Sequence, residues 1–287
     1  MTHPAYTISL PARPSTAVLF ASPHSGRAYP AEFVRRAVLD EAALRSSEDA
    51  FVDLLFDTAP EAGAPFLAAR TPRAFVDFNR APDELDPALI EGVRTPPTNP
   101  RVASGLGVIP RVVAGGRAIR HGRMPRAEAE ARLVGHWRPY HAALGGLIAA
   151  QRARFGRAIV IDCHSMPHEA VPTSLRGRAA LRPEVILGDR FGAAAAAAIV
   201  DRVEAAFQAA GFRVARNAPF AGAYVTQAYG RPALGQHVVQ VEIDRALYMD
   251  EARVCPHAGF SALRQRIATV VAAIAEIGRD EVPLAAE

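Results

Sequence analysis

With 287 residues, half of them hydrophobic, the chain is long enough to bury a sizeable core within one domain. All 33 basic residues are arginine and the net charge is +4, yet these arginines are scattered and form no basic cluster, which argues against a nucleic-acid partner. The two cysteines, Cys163 and Cys255, are far apart and outside any CxxC, so a disulfide framework is not indicated and a reducing compartment is expected.

The N-terminal MTHPAYTISLPARP has no charged segment followed by a long apolar one, and the longest apolar stretch, Ala193–Val200, falls far short of the ~20 residues a membrane span needs. A cytoplasmic protein with no membrane partner is the expectation. In chain order, the first strong signal is AVLFASPHSG, Ala17–Gly26. Its apolar run reads as a strand buried on both faces, delivering His24 into a loop at its C-terminal end. Two helices are expected next, over Ala31–Asp40 and Glu41–Pro60, with Ser46 or Ser47 able to cap a new start within the second. Short strands follow at Pro65–Ala69 and Ala74–Phe78, the latter ending on Asn79 and Arg80.

Ala81–Pro125 carries seven prolines and little periodicity. So long an irregular stretch inside a compact domain is expected to wall or cover a site, with Gly105–Pro110 forming a brief strand. Glu128–Phe155 has helical spacing, interrupted by Pro139, which predicts a kink or break. The design of the first strand then returns at AIVIDCHSMP, Ala158–Pro167, ending on Asp162, Cys163 and His164. Strands are expected at Glu184–Gly188, Phe212–Ala215 and His237–Ile243. Helices are expected at Gly192–Ala210, closed by Gly211, and at Gly259–Ile277. Strands alternating with helices predict a single sheet covered on both faces, and no linker divides the chain, so 1–287 reads as one domain.

In open α/β sheets ligands bind beyond the carboxyl ends of the strands, where His24 and His164 would stand. Glu48 and Asp49 place adjacent acids near a helix start. Glu242 lies in VVQVEIDR, where a carboxylate among apolar neighbours is costly unless it serves a partner. Two histidines and one carboxylate are the protein ligands of a hydrolytic zinc site that keeps a position open for water, and a separate glutamate collects the proton. His24, Asp49 or Glu48, His164 and Glu242 fit those roles. For the opposite reading, His121, His136, His141 and His257 sit in polar or helical contexts and are taken as structural. Cys163 reads as a buried small residue, and Glu242 and Asp244 could simply pair with Arg245. Arg80 could hold a substrate carboxylate in bidentate fashion, with an ion pair to Asp77, Asp83 or Glu84 as the alternative. Arg123 and Arg231 lie in loops and could do the same job. NAPFAGAYVTQAYGRP, carrying Tyr224, reads as a glycine-punctuated binding loop.

Taken together, SPHSGRAYP, SEDAFVDLLF, RAFVDFNRAPDELDP, GLGVIPR, WRPYHAAL, IDCHSMP, ILGDRFG and NAPFAGAYVTQAYGRPALGQHVVQVEIDRALYMDE resemble the N-formylglutamate amidohydrolase family, in order from Ser22 to Glu251. The resemblance implies a three-layer α/β/α fold with a central mixed sheet, akin to zinc carboxypeptidases and aspartoacylase-like enzymes. It also implies a zinc-dependent amidohydrolase splitting N-formyl-L-glutamate into formate and glutamate in histidine degradation. By position it makes His24, Asp49 and His164 the ligands of one divalent ion, Zn2+, and Glu242 the general base. It gives Asn79 and Arg80 to the substrate carboxylate. One departure stands out: zinc carboxypeptidases carry a glutamate three residues after the first histidine, and here that position is Arg27. A related N-acyl amino acid deacylase or carboxypeptidase-like hydrolase is the second reading, and a binding protein with structural histidines the third.

Overall fold

The computed structural model describes residues 4–94, 100–171 and 182–279. Eleven strands occur among them: β1 (Tyr6–Ser9), β2 (Val18–Ser22), β3 (Phe66–Ala69), β4 (Val112–Val113), β5 (Arg117–Ala118), β6 (Ala158–Met166), β7 (Val185–Gly188), β8 (Val214–Arg216), β9 (Gln236–Asp244), β10 (Met249–Asp250) and β11 (Cys255–Pro256). Seven of these make one sheet in the order β1-β3-β2-β6-β9-β7-β8. The four central neighbours β3, β2, β6 and β9 run parallel, β1 and β7 are antiparallel to their inner neighbours, and the sheet is therefore mixed.

Side chains alternate between the faces of a strand, and here that alternation divides the core in two. Val18, Phe20, Ile159, Ile161, Val239 and Val241 face one layer, which contains the helices Ala197–Ala209 and Phe260–Ile277. On the latter helix Leu263, Ile267, Val270, Val271 and Ile274 recur at helical spacing and are buried. Leu19, Ala21, Val160 and Val238 face the other layer, formed by the helix Arg138–Phe155. Gln151 of that helix donates its amide to the Thr16 and Val18 carbonyls, satisfying backbone acceptors at the start of β2. The expected α/β/α sandwich is what forms.

Several local expectations are corrected. Ala74–Phe78 is a turn rather than a strand, because Asp77 caps the backbone N–H of Asn79 and the Asp77 N–H bonds the Val108 carbonyl outside any ladder. Glu41–Pro60 contains only the short helices Glu41–Arg45 and Val52–Leu55, separated by the SSED turn, with Phe51 in the left-handed region at φ 67°. Gly105–Pro110 forms no strand; the brief ribbon lies just beyond, as β4 and β5. β1, unforeseen, pairs along the edge of β3. Pro139 causes no break: a π-helical turn at Leu133–Trp137 precedes it and carries the chain from Arg126–Arg132 into Arg138–Phe155, accommodating a residue with no N–H to donate. Gly211 has φ +82° directly beyond the helix Ala197–Ala209, as its terminating role requires.

Candidate active site

The register of the β6–β9 ladder places His164 opposite Glu242 and Asp162 opposite Gln240. These four share the face that holds Val160 and Val238 lower down, so polar groups replace apolar ones only towards the carboxyl ends of the strands. His24 arrives from the loop after β2. Gly26 lets that loop lie against the turn after β3, since a Cβ there would stand 2.1 Å from the Thr71 carbonyl oxygen. The Asp49 N–H bonds the His24 carbonyl at 3.0 Å, tying the SSED turn to the histidine loop.

The outcome is a buried cluster of His24, Asp49 and His164 whose ligand atoms lie within 4.8 Å of one another. Asp49 Oδ2 stands 3.3 Å from His24 Nδ1 and 2.9 Å from His164 Nδ1. Each outer nitrogen has its own carboxylate: His24 Nε2 lies 2.7 Å from Asp77 Oδ1, and His164 Nε2 lies 3.1 Å from Asp162 Oδ2. Asn79 Nδ2 is also 3.0 Å from His164 Nε2, while its Oδ1 accepts from the Val225 N–H. Arg245 donates to Asp49 Oδ1 at 2.9 Å and to the Ser165 hydroxyl at 3.2 Å. Both Nδ1 atoms and Oδ2 are thereby turned towards one point. Carboxylates on the far nitrogens of two imidazoles are what orient such rings as metal ligands. His24 Nδ1 is buried without a hydrogen-bond partner, which leaves its lone pair available to a cation.

Electrostatics agree. Asp49, Asp77, Asp162 and Glu242 are all buried, against the guanidinium groups of Arg73, Arg80 and Arg245 nearby. With neutral imidazoles the balance is negative, as suits a cation. Burial would raise the Asp49 carboxyl, but contacts with His164 and His24 outweigh it and hold the group well below its usual range. Burial pushes Glu242 up to about 7; His164 opposes this and Asp49 adds to it. A carboxylate raised in this way is a competent proton acceptor near neutrality.

The cluster opens onto a cavity of about 540 Å³. Arg73, Arg80, Arg101 and Arg245 reach its wall, and the irregular 81–125 segment contributes Arg101, Ser104, Leu106, Pro110, β4 and the turn that follows it. Phe220 to Ala223 close the opposite side. Arg80 is buried, 3.9 Å from Asp77 and 4.0 Å from Glu84, and its Nε lacks a hydrogen-bond partner.

The structure brings His24, Asp49, His164, Glu242, Asn79 and Arg80 together on this cavity. Glu48 is turned away, accepting from the Tyr29 hydroxyl at 2.8 Å and from Arg45, so Asp49 is the acid that joins the histidines. Arg123, Tyr224 and Arg231 are not on the cavity wall. Arg123 donates to the Ile90 carbonyl, Arg231 to the Gln227 and Gly230 carbonyls, and Tyr224 packs near Trp137 and His141. Backbone acceptors and ring contacts hold these three side chains. Arg245 meets Asp49 rather than Glu242. Asp77, Asp162, Arg73 and Arg101 join the site without being expected there; only Asp162 carried a signal, its spacing two residues before His164 on one strand face. Among the other histidines, His136 meets the Thr71 hydroxyl and His141 the Tyr229 hydroxyl, in structural roles.

An α/β sheet that delivers two imidazoles and an acid to one buried point, with a second acid beside a polar cavity, defines an enzyme whose site could hold a metal ion. The N-formylglutamate amidohydrolase family model matches residues 16–249, and the chain belongs to that family. It is 34% identical to an N-formylglutamate deformylase of Pseudomonas aeruginosa over 238 residues, covering 82% of each chain. It is 30% identical to an N-formylglutamate deformylase of Pseudomonas putida, again with 82% of each covered. The crystal structure of N-formylglutamate amidohydrolase from Ralstonia eutropha JMP134 superposes with a TM-score of 0.88 at 35% identity, covering 96% of this chain and 98% of that one. The gene product Atu2144 from Agrobacterium tumefaciens shares the fold at a TM-score of 0.59 and 18% identity, with 95% and 96% covered.

Proposed function

We propose that this chain is a zinc-dependent hydrolase that cleaves N-formyl-L-glutamate to formate and L-glutamate, as a cytoplasmic step of histidine degradation. The convergence of His24 Nδ1, His164 Nδ1 and Asp49 Oδ2 carries the reading, together with the buried Glu242 beside them. The two deformylase relatives and the family support the substrate.

His24, Asp49 and His164 would hold one divalent ion, with Zn2+ suited to two nitrogens and an oxygen. When bound, such an ion lowers the pKa of water to ~7 and polarises an amide carbonyl. Glu242 takes the proton of the attacking water on its carboxylate and delivers it to the amine nitrogen as the C–N bond breaks. Both protons of the water thus end on the amine of L-glutamate, as its ammonium group, and the water oxygen leaves in formate. Arg80 is the residue for a substrate carboxylate: its buried Nε has no partner and its fork matches a carboxylate. Arg73 and Arg101 stand on the same wall for the second carboxylate. Asn79, whose Oδ1 accepts from the Val225 N–H, contributes by donating Nδ2 to Asp162 Oδ2, the carboxylate on His164 Nε2. Binding both acidic ends orients the formyl carbon for attack.

The test is release of formate from N-formyl-L-glutamate with and without a chelator. Activity lost on chelation and restored by zinc supports the reading; chelator-resistant turnover, or no formate at all, overturns it. The cavity volume of about 540 Å³ exceeds what a formyl group needs and favours a second reading, a related metal-dependent N-acyl amino acid deacylase. N-acetyl-L-glutamate hydrolysed faster than the formyl compound would select it.

A further inference from the structure

A second cavity, of about 310 Å³, lies on the flank of the first, and Pro110 belongs to the walls of both. Its floor is apolar: Phe33, Phe75, Ile119 and Met124 line it. Its rim is basic. Glu128 is shared by three guanidinium groups, those of Arg132 at 2.6 Å, Arg36 at 3.5 Å and Arg120 at 3.6 Å. Glu32, on the same rim, contacts both Arg35 and Arg36. Among the residues that line the cavity, three guanidinium groups (Arg36, Arg120 and Arg132) therefore share two carboxylates, an excess of one positive charge around an apolar pit. The Arg132 guanidinium lies 4.1 Å above the Phe75 ring and 5.5 Å from the Phe33 ring, so a flat cationic surface already stacks on aromatic rings there. The π-helical turn Leu133–Trp137 borders the cavity through His136, and such turns collect at functional sites.

We propose that this cavity is a second ligand site, taking a small monocarboxylate with an aromatic or branched apolar body. The floor offers burial to the body and few partners to polar groups, which disfavours a doubly charged, hydrogen-bonding molecule of the kind the catalytic cavity accepts. The rim offers an anion charge that its own acids do not cancel. Nothing in the proposed hydrolysis uses any of these side chains, so the site stands or falls independently of that reaction.

The test is calorimetric titration of the full chain with 3-phenylpropionate and with its neutral analogue 3-phenylpropanamide, followed in parallel by fluorescence of Trp137, the only tryptophan and the neighbour of His136. The expected result is one saturable site for the carboxylate, tighter than for the amide. Ala131→Phe, which fills the cavity from its helix, abolishes it. Arg36→Glu, on an exposed rim position, weakens the carboxylate by about tenfold and leaves the amide unchanged. Arg80→Ala, in the other cavity, leaves both unchanged. Absence of saturable binding in the millimolar range, equal affinity for acid and amide, survival of binding in both Ala131→Phe and Arg36→Glu, or loss in Arg80→Ala overturns the proposal.

Discussion

The two halves of the β6–β9 ladder share strands, register and burial but differ in chemistry. In the first half Ile159, Val160 and Ile161 meet His237, Val238 and Val239. In the second, Asp162 and His164 meet Gln240 and Glu242 on a single face, while Cys163, Val241 and Ile243 continue the apolar pattern on the other. The first half contributes burial and, apart from His237, whose Nδ1 accepts from the Ala196 N–H, asks nothing of its neighbours. The second is costly to desolvate, and its polar groups are tolerated because Asp49 and Asn79 come from other parts of the chain, and Arg245 from the turn directly after β9, to meet the ladder or one another. A stiff apolar ladder thus carries the polar residues that perform the chemistry, and substitutions in the two halves should fail in different ways.

The largest separation is expected from Glu242→Gln. Its shape is nearly kept, so zinc content measured by atomic absorption should match the parent, while formate release falls by roughly two to four orders of magnitude. Near-normal turnover would remove Glu242 from the proton-accepting role. Ile159→Ala, in the apolar half, should do the opposite. Urea unfolding should show a loss of about 2–5 kcal/mol, with turnover of the folded fraction unchanged. If Ile159→Ala altered turnover as strongly as stability, the division of labour along the ladder would be lost.

Acid sharpens the comparison away from the ladder. Burial pushes His141 down to about 4 from an ordinary 6.5, with its Nε2 bonded to the Phe78 carbonyl. A histidine whose folded pKa is depressed supports the fold above its unfolded value. That contribution, on the order of 3 kcal/mol, is lost as pH falls from about 6.5 towards 4. The melting temperature should therefore drop across that window, and His141→Gln should flatten the drop. A smaller effect is expected of Asp77→Asn, which alters the partner of His24 Nε2 without touching the cluster: zinc affinity, read by chelator competition, should weaken by about 10–100-fold with little change in unfolding. An unchanged affinity would make the Asp77 contact structural only.

The ladder also explains what could be seen in the sequence. His164 and Glu242 sit in long buried strands whose apolar alternation is visible in VIDCHSM and VVQVEID, so both their position and their anomaly could be read. His24 followed from the same logic at β2. Asp49 could be placed only beside Glu48, because nothing local decides which acid a turn directs inward; Tyr29 and Arg45, which claim Glu48, both precede it in the chain, and Tyr29, 19 residues away, meets it only on folding. Asp77 was hidden because FVDFN has the period of a strand and becomes a turn through contacts with Val108 and His24. Arg123, Tyr224 and Arg231 show the converse. Side-chain type and loop composition suggested substrate contact, and backbone carbonyls or ring packing took those groups instead.

The account rests on one geometric claim, that the two Nδ1 atoms and Asp49 Oδ2 address the same cation. Anomalous diffraction at the zinc edge from crystals grown with zinc tests it most directly. A single strong peak ~2.0–2.2 Å from His24 Nδ1, His164 Nδ1 and an Asp49 oxygen, with Asp77 and Asp162 on the outer nitrogens, is the predicted result. A peak on the Nε2 side of either ring, or none between the two imidazoles, would contradict it.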